Sequence, residues 1–360
     1  MIIGIDAREG IKDQRAGKGE YVYQLVGRLI QNRQHQFKLF LDADLPLEWK
    51  QANVQPIVFK TNALLWQKIM FWYLELWRPV DVYFSPTSLI LPALVRRVPV
   101  VTAVMDFVSF ILPERHKLKA LILERIWMRP ALRYSQKIIA ISEHTKQDAI
   151  RLFKVNPAKI AVTPLAPSFG SSEKPYPLPY TKIILGVGTL EPRKNLERLV
   201  AAFNLIKAEV QEATLVLVGR WGWQSDGIKK AIATSPYGKD IHILEDVNNT
   251  QKKSIYQQAA VLAFSSLYEG FGLPLLEAMA CGTPVVAANT SSVPEVVGEA
   301  ALLVDPASIT ELATAIQKVL QDDRLAADLK SKGQAQAQLF SWEATATQTL
   351  QVLMETQKKC

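Results

Sequence analysis

The sequence Leu267-Tyr-Glu-Gly-Phe-Gly-Leu-Pro-Leu-Leu-Glu-Ala-Met-Ala-Cys-Gly-Thr-Pro-Val-Val286 follows an apolar, strand-like run at residues 259–264. Gly270 and Gly272 can take positive φ, and they let a backbone approach a ligand without an intervening Cβ. Pro274 suits the first turn of a helix, and Gly282 suits its far end. We therefore predict a short helix from about Pro274 to Cys281, entered through a glycine loop. The N–H groups and positive dipole at the start of such a helix favour a phosphate or another anion.

Two acidic side chains lie in this segment. Glu269 follows the strand, at the edge where open α/β sheets bind ligands, and its carboxylate could hold the hydroxyls of a sugar. Glu277 is predicted in the first helical turn, from which its side chain leans back over the loop toward two adjacent hydroxyls, as on a ribose. Either glutamate taken alone could equally be a solvated acid. The order of strand, glycine loop, glutamate and helix favours ligand binding.

The segment, with weaker similarity from Met1 to Trp342, resembles the group 1 retaining glycosyltransferases that use nucleotide sugars. The resemblance implies the GT-B architecture, an α/β fold in which two Rossmann-like domains face each other across a cleft. In that family the first glutamate and the amides after it meet the sugar, and the second glutamate meets the ribose. The resemblance implies Glu269 as a catalytic residue that orients the sugar. The donor-binding residues implied in this half of the chain are Gly188, Thr189, Gly270, Phe271, Gly272, Leu273 and Glu277.

Strand-like and helical patterns alternate along the whole chain, which is typical of doubly wound parallel sheets. With 360 residues and 49% hydrophobic content, the chain can bury two ordinary cores. Closely spaced prolines with little periodicity at residues 164–179 indicate a linker. We predict an N-terminal acceptor-binding domain at 1–167, joined by a C-terminal helix at 341–360 that crosses back to it, and a nucleotide-sugar-binding domain at 168–340.

Three further residues of the first half are candidates for the site. Gly17 and Gly19 precede a predicted helix at about 20–31. They resemble the family's first glycine loop, which approaches the diphosphate of the donor and the acceptor, although a plain turn would explain them equally. Asp106 stands at the end of the apolar strand 98–104, either as the group that positions or deprotonates the acceptor hydroxyl or as a helix N-cap. The family commonly has histidine before this aspartate. Met105 replaces it here, and a thioether cannot carry a proton or donate a hydrogen bond.

Arg193 and Lys194 are predicted at the start of a helix on the sheet's carboxyl edge. This is an unfavourable place for cations unless an anion joins them. Arginine can bind a phosphate through two hydrogen bonds and lysine supplies a point charge, so together they would stabilise a departing nucleoside diphosphate. The resemblance assigns them that role, which makes a catalytic metal unnecessary, and the scattered histidines show no ligand spacing.

Composition and the start of the sequence bear on the kind of partner the protein binds and on its cellular compartment. The formal charge of +8 and the pI near 9.3 favour an anionic partner. Net charge alone does not choose among a nucleotide, a phosphate, an acidic membrane and a nucleic acid. Two cysteines show no disulfide framework, and no basic n-region or cleavage site precedes the first strand, so we expect a cytoplasmic protein. No recognisable nucleic-acid-binding fold carries the basic residues.

The aromatic segment 64–77 has two interpretations. Tryptophan and tyrosine at helical spacing are typical of a core or of packing between helices. They also favour the headgroup region of a bilayer, and basic residues at 115–117, 119, 125, 129 and 133 lie around a second apolar segment. The second interpretation predicts peripheral contact with the inner face of the plasma membrane.

The function expected from the resemblance is transfer of a sugar, with retention, from a GDP- or UDP-linked donor to a hydroxyl of a glycan or lipid-linked acceptor, without a cofactor. Mannose is the sugar that the resemblance favours, and the sequence leaves the base, the sugar and the acceptor open. One alternative is a catalytically silent relative that binds sugar nucleotides. Another is a Rossmann-type oxidoreductase, but no glycine turn here completes G-x-G-x-x-G.

Overall fold

A computed structural model describes residues 1–12, 17–115, 118–169 and 176–357 of the protein. The chain divides into two compact units. The first comprises Met1–Phe110, Leu118–Leu165 and Ser341–Cys360, and the second comprises Ile111–Lys117 and Ala166–Phe340. The sequence predicts residues 111–115 in the first domain, whereas in the structure they belong to the second unit. There Arg115 donates a hydrogen bond to the carbonyl oxygen of Pro192.

The first unit is built on a seven-stranded, fully parallel sheet in the order β3-β2-β1-β4-β5-β6-β7. Its strands are mostly buried, as expected for a sheet covered by helices on both faces. They are β1 (Ile2–Asp6), β2 (Gln36–Leu41), β3 (Val54–Val58), β4 (Val82–Ser85), β5 (Val100–Val104), β6 (Lys137–Ala140) and β7 (Ile160–Val162).

Helices connect and cover this sheet. They are α1 (Gly17–Leu29), α2 (Ala63–Trp77), α3 (Ile90–Leu94), α4 (Val108–Ile111), α5 (Leu118–Tyr134) and α6 (Glu143–Phe153). The buried side of α2 contributes Trp66, Met70 and Leu74 to a core against the sheet. Side-chain caps explain two of the helix starts: Asn62 accepts from the N–H of Leu65, and Ser142 accepts from the N–H of Thr145.

The last helix of the chain, α14 (Trp342–Gln357), belongs to the first unit although it follows the second in sequence. It packs on α1, with the rings of Trp342 and Tyr21 6.4 Å apart. Its Thr345 hydroxyl donates to the carbonyl oxygen of Pro164 at 2.6 Å. The C-terminal segment is therefore part of the first unit's core.

The second unit has a six-stranded parallel sheet in the order β10-β9-β8-β11-β12-β13. The strands are β8 (Lys182–Val187), β9 (Ala213–Val218), β10 (Ile241–Leu244), β11 (Val261–Phe264), β12 (Val285–Ala288) and β13 (Ala301–Val304). The helices are α7 (Leu196–Glu209), α8 (Asp226–Thr234), α9 (Asn249–Gln258), α10 (Leu273–Ala280), α11 (Val293–Val297), α12 (Ile309–Gln321) and α13 (Asp323–Ala337).

The core of the second unit lies between the sheet and helices α7 and α12. Leu199, Phe203 and Ile206 recur at helical spacing on α7 and meet Leu215 and Leu217 of β9. The proline-rich linker predicted at residues 164–179 lies only partly within the described chain, because residues 170–175 are outside it. Both sheets have the doubly wound α/β order that the alternating sequence pattern predicted.

Candidate active site

The predicted site residues of the second unit lie near the point where the strand order of its sheet reverses. From β8 the chain builds outward to β9 and β10, and from β11 it builds outward on the other side to β12 and β13. The carboxyl ends of β8 and β11 therefore flank the topological switch point, where open α/β sheets bind ligands. Residues 188–195 follow β8 here, and residues 265–272 follow β11.

Two glycines allow the turn after β8. Gly188 has φ of +137°, and a Cβ placed on it would lie 2.9 Å from Cε of Lys194. Gly219, after β9, has φ of +149°, and a Cβ there would lie 2.1 Å from the carbonyl oxygen of Gly188. Only glycine fits both positions without strain. The lysine can pass close to the backbone for the same reason, while Thr189 beside it is exposed.

An ion-pair cluster joins this turn to the loop after β11. Nζ of Lys194 lies 2.6 Å from Oε1 of Glu269, and the Arg193 guanidinium lies 2.8 Å from Oε2 of the same carboxylate. Arg193 also pairs with Glu191 at 2.7 Å and donates to the carbonyl oxygen of Tyr268 at 2.7 Å. The anion that the two cations require is therefore supplied within the protein, by Glu269 and by Glu191, a residue that the sequence analysis missed.

Burial makes this cluster electrostatically strong, because Glu269 is 8% exposed and Lys194 is 9% exposed. Burial opposes ionisation of Glu269, but the charges of Arg193 and Lys194, with hydrogen bonds from Lys194 and Ser266, lower its pKa to about 2. Burial lowers the pKa of Lys194 below its ordinary value, and the positive charge of Arg193 lowers it further. The carboxylate of Glu269 opposes this shift only in part. The cluster thus holds a carboxylate that is ionised at neutral pH between two donors.

The glycine loop leads into α10 as predicted, one residue earlier than expected. Gly272 has φ of +109° and occupies the N-cap position before Leu273. Two serines hold the loop: Ser291 accepts a hydrogen bond from the N–H of Glu269 at 2.8 Å, and Ser292 donates to the carbonyl oxygens of Glu269 and Phe271. Gly270 and Phe271 are buried in this loop.

Glu277 lies in the second turn of α10, which corrects the prediction of the first turn. The helix starts at Leu273, so Glu277 is its fifth residue. Its two carboxylate oxygens meet Nζ of Lys252 at 2.6 Å and the hydroxyl of Tyr256 at 2.8 Å, both from α9. The i, i+4 spacing of these partners on one helix face was visible in the sequence, but nothing there connected them to Glu277.

Each paired carboxylate retains capacity for a ligand. A carboxylate has about four lone-pair directions. The partners named above use three of them on Glu269 and two on Glu277. Glu269 and Glu277 can therefore still accept hydrogen bonds from sugar hydroxyls. The structure brings Arg193, Lys194 and Glu269 into one contact cluster, and it holds Glu277 through separate contacts to α9.

The remaining predicted residues lie in the first unit. Gly17 and Gly19 fall inside α1, whose start at Gly17 corrects the loop predicted there; the preceding residues 13–16 lie outside the described chain. Oδ1 of Asp106 accepts a hydrogen bond from the N–H of Val108 at 3.1 Å, the capping geometry considered as its alternative role. Asp106 and Met105 also line a cavity of about 230 Å³.

Among the residues that the structure describes, no group of three or more histidine, cysteine, aspartate or glutamate side chains is arranged to hold a metal ion. Within the same ranges, no helix has the length and apolarity needed to cross a bilayer.

The chain is similar to known glycosyltransferases along its length. A family described as "Glycosyl transferases group 1" matches residues 173–336, and "Glycosyltransferase Family 4" matches residues 16–166. The Escherichia coli O-antigen chain mannosyltransferase B is 31% identical, over 96% of this chain and 98% of that protein. An MMP α-(1→4)-mannosyltransferase of Mycolicibacterium hassiacum is 30% identical over 60% of this chain and 53% of that protein.

Solved structures share the fold. Sucrose-phosphate synthase from Thermosynechococcus elongatus superposes with a TM-score of 0.80 at 22% identity, and the match covers all of both chains. Anabaena HepE, solved in complex with UDP and glucose, has a TM-score of 0.74 at 19% identity, covering 98% of this chain and 99% of that one. These likenesses assign the GT-B fold to the two parallel sheets.

Proposed function

The chain belongs to the group 1 glycosyltransferases, and we propose that it transfers mannose from a nucleoside-diphosphate sugar, with retention, to a hydroxyl of a glycan or lipid-linked acceptor. The observation that carries the proposal is the cluster of Arg193, Lys194 and Glu269 at the switch point, beside the glycine loop of α10. Mannose is favoured because both relatives described above are mannosyltransferases.

The cations are proposed to bind the diphosphate and to stabilise its charge as it leaves. Arg193 can offer guanidinium N–H groups and Lys194 an ammonium group to phosphate oxygens, while the N-terminal end of α10 favours negative charge. Glu269 then orients the sugar, and its ion pairs keep the two cations in place before the donor binds. Preorganised charge of this kind stabilises a transition state without reorganisation during the reaction.

Glu277 is proposed to bind the ribose. Lys252 and Tyr256 hold its carboxylate in one orientation, which reduces the side-chain freedom that would be lost on binding. Since Arg193 and Lys194 supply the positive charge that the diphosphate needs, we propose that turnover requires no metal. Activity should then be unchanged in excess EDTA.

The acceptor is proposed to be deprotonated by a donor phosphate oxygen, with Asp106 positioning its hydroxyl. Attack then comes from the leaving-group face, which accounts for retention without a protein nucleophile. Methionine at position 105 carries no proton, so this chemistry cannot use the imidazole that is common in the family.

Three substitutions test the donor site. Arg193→Ala and Lys194→Ala should abolish turnover, and Glu277→Ala should weaken donor binding, in transfer assays with GDP-mannose and UDP-sugars and in thermal-shift titrations with GDP and UDP. Arg324→Ala, on the exposed side of α13, is the matched control. Normal transfer by all three variants would refute the site assignment, and donor binding without transfer or hydrolysis would favour a silent protein.

Contact with an anionic membrane is proposed for the first unit, at the inner face of the plasma membrane. On α2, Leu65, Trp72 and Leu76 are 45%, 57% and 59% exposed and lie on one face. On α5, exposed apolar residues alternate with the exposed Arg125 and Arg129. Both helices pack against α3. Of the basic run 115–119, His116 and Lys117 lie outside the described residues.

Apolar side chains beside arginines match the chemistry of an anionic bilayer surface, at about 1 kcal/mol for each basic residue near it. Co-sedimentation with phosphatidylglycerol vesicles should exceed that with phosphatidylcholine vesicles, and Trp72→Ser should reduce it. Leu339→Ser, which changes an exposed apolar residue of the second unit, is the control. Equal, negligible binding to both lipids would refute this contact.

A further inference from the structure

A cavity of about 230 Å³ lies at the carboxyl ends of β4 and β5 in the first unit. Thr87 and Ser88 follow β4, and Met105 and Asp106 follow β5. The strand order of the first sheet reverses between β1 and β4. The cavity therefore lies next to the topological switch point of the first unit. Helix α5 covers it with Glu124 and neighbouring apolar residues.

Glu124 is the unusual group in this lining. Its Oε2 atom is buried and has no hydrogen-bond partner, and its Oε1 atom lies 3.9 Å from Nζ of Lys18. A buried, unsatisfied carboxylate oxygen is costly, so such a group in a cavity is well suited to accept a ligand's hydrogen bonds. Neither the sequence analysis nor the donor site accounts for it.

The cavity's charge and size restrict its ligand. Two carboxylates, Glu124 and Asp106, face one ammonium group, that of Lys18, so the lining disfavours a phosphate. Apolar side chains, including Leu123 and Met128, form much of the remaining wall. The volume is below the roughly 300–1,000 Å³ of cavities for drug-sized ligands, which suits one ring and no longer chain.

We propose that this cavity binds one uncharged sugar ring of the acceptor, and that Glu124 is a specificity-determining residue that accepts hydrogen bonds from its hydroxyls. Asp106 accepts from a second position on the ring, and the apolar wall contacts the ring's C–H face. The inference rests on the proposed function, because the ring it places is the acceptor's. It identifies the acceptor's reacting end as a neutral glycoside instead of a phosphate or diphosphate.

The test measures binding of methyl α-mannoside, methyl α-glucoside and mannose 1-phosphate to the full chain by saturation-transfer NMR. A neutral methyl glycoside should bind the wild type more tightly than mannose 1-phosphate. Glu124→Gln should weaken the glycoside about tenfold or more, because a hydrogen bond to a charged group is lost. Asp106→Asn should also weaken it, and asparagine preserves the helix cap. Glu212→Gln, in an exposed turn of the second unit, should have no effect.

The inference is overturned if no methyl glycoside binds the wild type, if Glu124→Gln binds it as well as the wild type does, or if mannose 1-phosphate binds more tightly. GDP and UDP titrations of the same samples separate this failure from that of the proposed function. If GDP or UDP binds normally and Glu124→Gln does not change glycoside binding, only the acceptor assignment is refuted. Absence of any nucleoside-diphosphate binding refutes the proposed function instead.

Discussion

Replacing Glu269 by glutamine should remove a pH-dependent part of the protein's stability. The carboxylate is 8% exposed and lies between Lys194 at 2.6 Å and Arg193 at 2.8 Å. Glutamine has nearly the same shape but cannot carry the charge that both donors bind. The substitution therefore isolates the electrostatic contribution of the cluster from its packing.

The expected magnitude follows from the pKa of Glu269. A fall from 4.5 to about 2 corresponds to roughly 3 kcal/mol of unfolding free energy at neutral pH. Because the folded-state pKa is the lower one, this contribution is complete above pH 4.5 and is lost as the pH falls through about 2. Wild type and Glu269→Gln should thus differ by roughly 3 kcal/mol at pH 7 and by about half as much at pH 3.

Urea denaturation at pH 7, 4.5 and 3, followed by tryptophan fluorescence, measures this difference. Glu212→Gln removes an exposed carboxylate of the same unit and should track the wild type at every pH. Two results would refute the electrostatic account of the cluster. One is a difference in unfolding free energy between wild type and Glu269→Gln that stays constant from pH 7 to pH 3. The other is a difference below 1 kcal/mol at pH 7, where roughly 3 kcal/mol is expected.

Three other predictions concern single side chains. Tyr256→Phe removes the hydroxyl that donates to the buried carboxylate on α10, so calorimetry should show weaker GDP or UDP binding, and the unfolding free energy should fall by about 1–2 kcal/mol. Gly219→Ala should lower the Tm by about 4 °C or more, because its Cβ would meet a backbone oxygen at 2.1 Å, whereas Gly17→Ala, with open space around its Cβ, should not. Burial raises the pKa of the Cys281 thiol to about 12, so the native protein should resist iodoacetamide at pH 8 and react at that cysteine only after denaturation, as read by peptide mass spectrometry.

Local patterns were sufficient for the elements and for most of the loop at residues 267–286. The apolar run at 98–104 predicted β5, the apolar run at 259–264 predicted β11, and the pattern at about 20–31 predicted most of α1. Glycine adopts positive φ without steric cost. Gly272 followed by Pro274 therefore predicted the start of α10 to within one residue.

Contacts between distant segments could not be read from the same patterns. The sequence predicted that Arg193 and Lys194 bind an external anion. In the structure both pair with Glu269, which lies 75 residues after Lys194 in the sequence. Similarly, Lys252 and Tyr256 reach Glu277 only because α9 and α10 pack together. The sequence allows two roles for Asp106, and the structure shows its Oδ1 atom accepting a hydrogen bond from the N–H of Val108.

The sequence by itself determined the alternation of strands and helices, the glycine turns and the chemical types available at the sheet edges, because these depend on neighbours within a few residues. Only the tertiary structure decided which charges are paired, how deeply they are buried and that Glu124 faces a cavity. Those properties arise from the order of strands in each sheet, which brings together residues that periodicity along the chain cannot connect.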